Sequence, residues 1–181
     1  CDRKHAQEVV DAWDAFEARA PLDPRFTAQI GDAETILFQR AILNTKLVDK
    51  KHLEAAASDY EKILARSDTA NDRDETVWSN LAETYMMLDR LEDAIDTYRE
   101  AIRRSGSPST IYGLAVALDR DERTGAARDL LVAQGKAALD MFHVSVMQGR
   151  TFFVPRGEEY YYFALAHEAF DENEEAIGYW E

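Results

Sequence analysis

One histidine and several carboxylates late in the sequence have the spacing that comes nearest to a metal site. His167 and Asp171 are four residues apart, so a helix would present both on one face. Further carboxylates surround them at Glu168, Glu172, Glu174 and Glu175. The alternative is a histidine packed in a helical core beside a solvated acidic turn. We favour this structural role, because the set lacks the spacing of an established metal motif.

No other group of residues predicts catalysis. The sequence contains no His-Glu-x-x-His, no Cys-x-x-Cys and no nucleophile elbow. Gly125 and Gly135 lie in helical sequence and do not form a phosphate loop. His5, His52 and His143 have no partner at metal-ligand spacing. We therefore expect no catalytic activity, no cofactor and no metal.

Composition and charge narrow the class of partner. The 181 residues are 46% hydrophobic and 31% charged, which is typical of a folded soluble protein. No apolar run approaches the roughly 20 residues of a membrane-spanning helix. The formal net charge of −14 disfavours nucleic acid, whose phosphates an acidic surface repels. The negative charge either favours binding to basic or mixed-charge proteins or simply keeps the protein soluble.

The single cysteine is residue 1, and a lone cysteine forms neither an internal disulfide nor a thiolate cluster. A mature bacterial lipoprotein begins with the cysteine that carries its lipid. We therefore expect lipidation of Cys1 and a lipid-anchored position on the periplasmic side of a bacterial envelope. Asp2 agrees with retention at the inner membrane. An arbitrary chain boundary, with a cytoplasmic protein, is the alternative.

Hydrophobic periodicity predicts helices throughout. An amphipathic helix is expected over 4–19, followed by an irregular segment containing Pro21 and Pro24. Two more helices are expected up to about Asp49 and from Lys51 to Ser67. Later boundaries come from capping patterns. These are capping boxes at Asp72/Glu75, Asp89/Glu92 and Asp171/Glu174, and the Ser107-Pro108 start signal.

Large, small and aromatic positions recur at an offset of 33 residues, which indicates stacked helix pairs. The first copy contains Trp78, Leu81, Ala82, Tyr85, Ala94, Tyr98 and Ala101. The second contains Ile111, Leu114, Ala115, Leu118, Ala127, Leu131 and Gln134. A later copy has Tyr160, Phe163, Ala164, His167, Ala176 and Trp180, and a degenerate one ends in Ala56, Tyr60 and Ile63.

This pattern resembles the tetratricopeptide repeat family, whose unit of about 34 residues is a pair of antiparallel helices. The resemblance implies an all-α helix-pair solenoid over 32–181, after an amino-terminal helix and linker over 1–31. Its repeats span approximately 32–70, 72–106, 107–141 and 158–181. The last is cut off near Trp180, so we expect the natural protein to continue.

The resemblance also implies a concave groove that binds proteins. Carried over by position, its lining is expected to include Asn80, Glu83, Met87, Tyr112, Val116, Tyr161 and Leu165. The alternative is that the amino-terminal helix covers part of it. Gly113 replaces the second asparagine of the clamp with which one subtype binds chaperones, and the clamp's basic residues are missing too. A chaperone adaptor is therefore not expected.

The segment 143–157 interrupts the repeats. Alternation of Val144, Val146, Phe152 and Val154 predicts a short β-hairpin or extended insertion. Phe152, Phe153 and Val154 are expected either to bind a partner as an apolar tab or to pack against the protein's own repeats.

Together these features predict a non-catalytic protein-interaction scaffold, membrane-anchored through Cys1, that acts in assembling a bacterial envelope complex. Two alternatives are a structural subunit built into a large multiprotein machine and a soluble adaptor.

Overall fold

Helices form every regular element in the described part of the chain. The computed structural model describes residues 3–17, 33–66, 73–104, 107–147 and 158–181, and these ranges contain ten helices and no strand. They are α1 Arg3–Glu17, α2 Ala33–Leu47, α3 Lys50–Arg66, α4 Arg73–Met87, α5 Leu91–Arg104, α6 Pro108–Arg120, α7 Thr124–Gln134, α8 Lys136–Met147, α9 Glu158–Ala169 and α10 Asn173–Trp180. The predicted all-α class is confirmed.

The chain divides into two compact units, Cys1–Val77 and Trp78–Glu181, called unit 1 and unit 2 below. In unit 1, α1 packs on α2 through Ala6, Val10 and Leu47. A short turn joins α2 to α3, and Asp49 caps α3 by accepting a hydrogen bond from the His52 backbone N–H at 3.2 Å. The two helices are also joined by a buried ion pair between Arg40 and Asp59.

Unit 2 contains the helix pairs that the repeat pattern predicts. Helices α6 and α7 pack together, as do α9 and α10, and α6 also packs on α5. The alanines at the small positions are at most 2% exposed, which lets the helices approach closely. These residues are Ala82, Ala94, Ala101, Ala115, Ala127, Ala164 and Ala176. Ser107 caps α6 as predicted, with Pro108 at its first position.

The same backbone turn ends helices α4, α6 and α9. Backbone N–H groups of residues 90, 123 and 172 bond the carbonyls of residues 85, 118 and 167, which is the Schellman pattern. Asp89, Glu122 and Asp171 occupy the left-handed position of these turns, with φ of 59°, 60° and 61°. The predicted capping boxes at Asp89 and Asp171 are therefore wrong, because these residues end one helix instead of starting the next. Asp72 lies outside the described residues.

Replacing Glu122 by glycine is expected to raise the free energy of unfolding by about 1 kcal/mol, because a left-handed conformation is costly for a residue with a Cβ atom. Glu122 is exposed, so the change removes little contact. Denaturant unfolding of the purified chain measures the effect. Glu122→Ala, which removes the same charge but keeps Cβ, is the control, and an equal gain from both variants would contradict the explanation.

The predicted β-hairpin is wrong where the structure describes it. Residues 143–147, including Val144 and Val146, belong to helix α8. Buried Leu139 and the ring of His143, whose centroid lies 4.7 Å from that of Phe163, are one turn apart on this helix. Gly135, expected within a helix, separates α7 from α8 with φ of 78°. Phe152, Phe153 and Val154 lie outside the described residues.

Candidate functional site

The residues that were expected to line a groove fall into two sets, one partly exposed and one buried. Asn80, Met87 and Tyr161 are partly exposed, whereas Glu83, Tyr112, Val116 and Leu165 are buried. The buried four pack within the protein and do not present their side chains to solvent. Of the seven predicted positions, only Asn80, Met87 and Tyr161 could therefore contact a partner.

Glu83 is buried because it serves a structural contact in unit 2. Its Oε1 accepts a hydrogen bond from the hydroxyl of Tyr98, and both residues are at most 2% exposed. The Tyr98 ring in turn lies against Gly113: a Cβ atom built on that glycine would lie 2.5 Å from Cζ of Tyr98. The close contact leaves no space for a side chain at position 113.

Tyr161 combines a partly exposed ring with a bonded hydroxyl. The hydroxyl donates a hydrogen bond to Asp119, and the ring packs edge-on against Trp180 with centroids 5.1 Å apart. The Arg120 guanidinium lies 5.7 Å from the ring centroid. Burial, followed by the Asp119 hydrogen bond, raises the pKa of Tyr161 well above its usual value. Tyr161 is therefore a neutral phenol at physiological pH, and its ring is partly exposed.

Two of the carboxylates near His167, those of Asp171 and Glu172, are engaged in ion pairs. The His167 Nδ1 atom lies 2.9 Å from Glu172, which also pairs with Lys136. The Lys136 hydrogen bond, and after it that of His167, lowers the pKa of Glu172. Asp171 pairs with Arg128 at 2.8 Å. Within the described residues, no group of three or more histidine, cysteine, aspartate or glutamate side chains is arranged to hold a metal.

Helix α8 presents apolar side chains to solvent. Met141 and Val144, three residues apart and so on one face of the helix, are 56% and 53% exposed. Val132 on α7 is 47% exposed. The alternation from His143 onward predicts a hairpin, so the helical face that includes Val144 is not predicted from the sequence. None of the described helices combines the length and apolarity needed to cross a bilayer.

Unit 1 contains a polar cavity of about 310 Å³, which the sequence pattern does not predict. Helix α2 contributes Arg40 and Asn44 to its lining, and α1 and α3 contribute the rest. Asn44 is only 2% exposed, and its Oδ1 has no hydrogen-bond donor among the described residues. The only indication in the sequence is that Arg40 and Asn44, both polar, lie one turn apart on α2 among the apolar residues of that helix.

Two solved structures share this fold over nearly the whole chain. A crystal structure of MamA matches with a TM-score of 0.55 at 19% identity, covering 98% of this chain and 88% of that chain. A second crystal structure of MamA protein has the same score and identity, covering 99% of this chain and 83% of the other. No protein-family model matches the sequence, and the comparison with curated proteins gives no match. The chain therefore has a tetratricopeptide-like helical-repeat fold similar to that of MamA.

Proposed function

We propose that this chain is a non-catalytic scaffold that binds other proteins through unit 2. The observation that carries the proposal is the exposed apolar face of α8, formed by Met141 and Val144. Single exposed apolar residues are ordinary, whereas contiguous apolar surface, which Met141 and Val144 begin to form on one helix face, is what protein contacts use. Because α8 lies outside the helix pairs, a partner can contact it without disturbing repeat packing.

Two further features support protein recognition. Met87 and the Tyr161 ring add partly exposed apolar surface of the kind that interfaces use. The net charge of −14 favours encounters with basic or mixed-charge proteins and disfavours nucleic acid. Specificity would then come from apolar contact, with charge acting on the rate of association.

A photo-crosslinking residue at Val144 tests the proposal in the protein's own cells. We expect covalent capture of one or a few discrete proteins. The matched control is the same residue at Ala126, which is exposed on α7 and whose apolar neighbour one turn away, Leu130, is only partly exposed. The captured protein, once purified, should bind Val144→Asp at least tenfold more weakly than the original chain, with the same thermal stability in both.

Absence of discrete products from Val144, and equally from Met87 and Tyr161, would contradict the scaffold proposal. Crosslinked products from both Val144 and Ala126 would indicate non-specific contact, and α8 would then no longer be part of the proposed binding surface.

Membrane anchoring extends this proposal. Cys1 lies outside the described residues, so its lipid and the role in envelope-complex assembly stay predictions from the sequence. The mass of the amino-terminal peptide of the natural protein tests lipidation, because each acyl chain adds its own mass to the peptide. Several acyl chains on Cys1 would anchor the protein stably in a membrane. An unmodified Cys1 in the aqueous fraction would leave a soluble adaptor. Recovery only within a fixed stoichiometric assembly would favour the built-in subunit.

A further inference from the structure

We propose that one face of helix α10, formed by Ile177 and Trp180, binds a basic amphipathic helix of a partner protein. The two residues lie three apart on α10 and are 55% and 46% exposed. The ring of Tyr161, which packs edge-on against that of Trp180, continues the apolar surface. This surface, called the α10 face below, extends the proposed function of unit 2 and does not use the α8 face.

The position of Trp180 in the repeat indicates which kind of element fits the α10 face. Tyr98 and Leu131 occupy the same position in the two earlier copies. Tyr98 is fully buried, and its ring lies against Gly113 of α6, the first helix of the next pair. Leu131 is 1% exposed, and its helix α7 packs on α9, again the first helix of the next pair. Because a helix packs on α5 and on α7, a helix is the element whose shape fits α10.

The charges around the α10 face favour a basic helix. Residues 158–181, which form α9, α10 and the turn between them, contain eight aspartates and glutamates and neither lysine nor arginine. Glu174 and Glu181, three and four residues from Ile177, lie on the same side of α10 and are exposed. A helix that approaches this side meets carboxylates, which attract lysine and arginine beside its apolar residues.

Cations that contact this helix pair leave the acidic character of the face unchanged. Arg128 and Lys136 pair with Asp171 and Glu172 in the turn between α9 and α10. At the Tyr161 edge, the Arg120 guanidinium lies 5.7 Å from the ring centroid. Asp119, the residue before Arg120, accepts the hydrogen bond of the Tyr161 hydroxyl, so this edge adds one charge of each sign.

Trp180 provides an ordered aromatic contact for such a helix. Its indole N–H donates a hydrogen bond of 2.8 Å to Glu168 of α9, and the Tyr161 ring packs against it with centroids 5.1 Å apart. These two contacts orient the indole while nearly half of the residue remains exposed. Tryptophan is common in the energetically important part of protein interfaces, and its ring attracts cations. The α10 face therefore combines apolar contact with affinity for positive charge.

A second copy of this chain fits the face less well than a basic helix does. Contact between two α10 faces would bring Glu174 and Glu181 of both copies together, and like charges in contact oppose association. The net charge of −14 adds a general repulsion between copies. We therefore assign the face to a helix of another protein.

Calorimetry on the purified chain tests this assignment with three synthetic peptides of about 18 residues, long enough to form a helix. The first has leucines at helical spacing flanked by lysine and arginine. The second has the same leucines flanked by glutamate, and the third has the composition of the first in an order without an apolar face. We expect saturable binding of the first peptide, at least about tenfold tighter than binding of either control peptide.

The variant Ile177→Gln tests the apolar part of the face without adding charge. It should weaken binding of the basic amphipathic peptide at least about tenfold, because the buried area of the isoleucine is lost. The matched control is Val48→Gln in unit 1, which removes a side chain of similar exposure, 52%, and should leave binding unchanged.

A second pair of variants tests the charge and remains informative if Ile177→Gln folds poorly. Glu174→Lys reverses a charge on the α10 face, whereas Glu175→Lys makes the same change two residues from Ile177, on the opposite side of the helix. Both glutamates are exposed in the first turn of α10. At physiological ionic strength Glu174→Lys should weaken binding at least about fivefold and Glu175→Lys less than about twofold, because salt screens the more distant charge.

Four outcomes would overturn the inference. They are no saturable binding of the basic amphipathic peptide, equally tight binding of the glutamate peptide, equal effects within each matched pair of variants, and self-association of the chain that Ile177→Gln abolishes. The last would assign the face to a second copy. If a longer natural form of the polypeptide fails to bind the peptide, the face belongs to its own following helix, which also overturns the inference. Val144 crosslinking can succeed with any of these results, so the two proposals fail independently.

Discussion

Replacing Asp59 by alanine is expected to lower the free energy of unfolding by about 3–5 kcal/mol, because it removes the buried carboxylate to which the Arg40 guanidinium donates two hydrogen bonds. Arg40 is 7% exposed and Asp59 is 1% exposed. The two join α2 and α3 through paired hydrogen bonds, and Lys62 adds a second cation beside Asp59. Denaturant unfolding followed by circular dichroism measures the loss.

Two controls separate the buried charge from general effects of substitution. Asp96→Ala removes one partner of the exposed pair with Arg99, at 3.2 Å, and is expected to cost less than about 1 kcal/mol. The double variant Arg40→Met/Asp59→Leu replaces both charges by apolar groups and should recover most of the stability that Asp59→Ala loses. A single-variant loss no larger than that of Asp96→Ala would contradict the explanation.

Replacing Gly113 by alanine is expected to lower the free energy of unfolding by roughly 1–3 kcal/mol, the usual effect of overpacking a close contact. The new Cβ would lie 2.5 Å from Cζ of Tyr98. That ring cannot move at low cost, because it is fully buried and its hydroxyl bonds Glu83. A larger side chain such as asparagine should lower the stability further.

The matched control is Gly125→Ala on α7, where nothing lies within 4 Å of a new Cβ. Alanine there should stabilise the chain by about 0.5–1 kcal/mol, since glycine is unfavourable inside a helix. Repeating Gly113→Ala in a Tyr98→Leu background should reduce its cost, because the two effects are coupled through one contact. Equal effects of Gly113→Ala in both backgrounds would show that the Tyr98 ring is not responsible.

Tertiary packing determined several features that local patterns misassign. Val144 and Val146 alternate as in a strand, yet α8 is a helix because Leu139 and His143 pack one turn apart within unit 2. Asp89 and Asp171 have the composition of N-caps, but the hydrogen bonds of the preceding helix place them in its final turn. In both cases the chemistry of a few residues fits two structures; the contact with Phe163 selects the helix for α8, and the backbone hydrogen bonds of the preceding helix select the final turn for Asp89 and Asp171.

The sequence by itself determined the helical class and the small-residue contacts between helices. Ala82, Ala94 and Ala115 follow from periodicity, because only a small residue lets two helices approach closely there. Only the tertiary structure decided which polar residues are buried and what they face. Glu83 is paired with Tyr98 and Asn44 faces a cavity because residues distant in sequence surround them, and no local pattern records those neighbours.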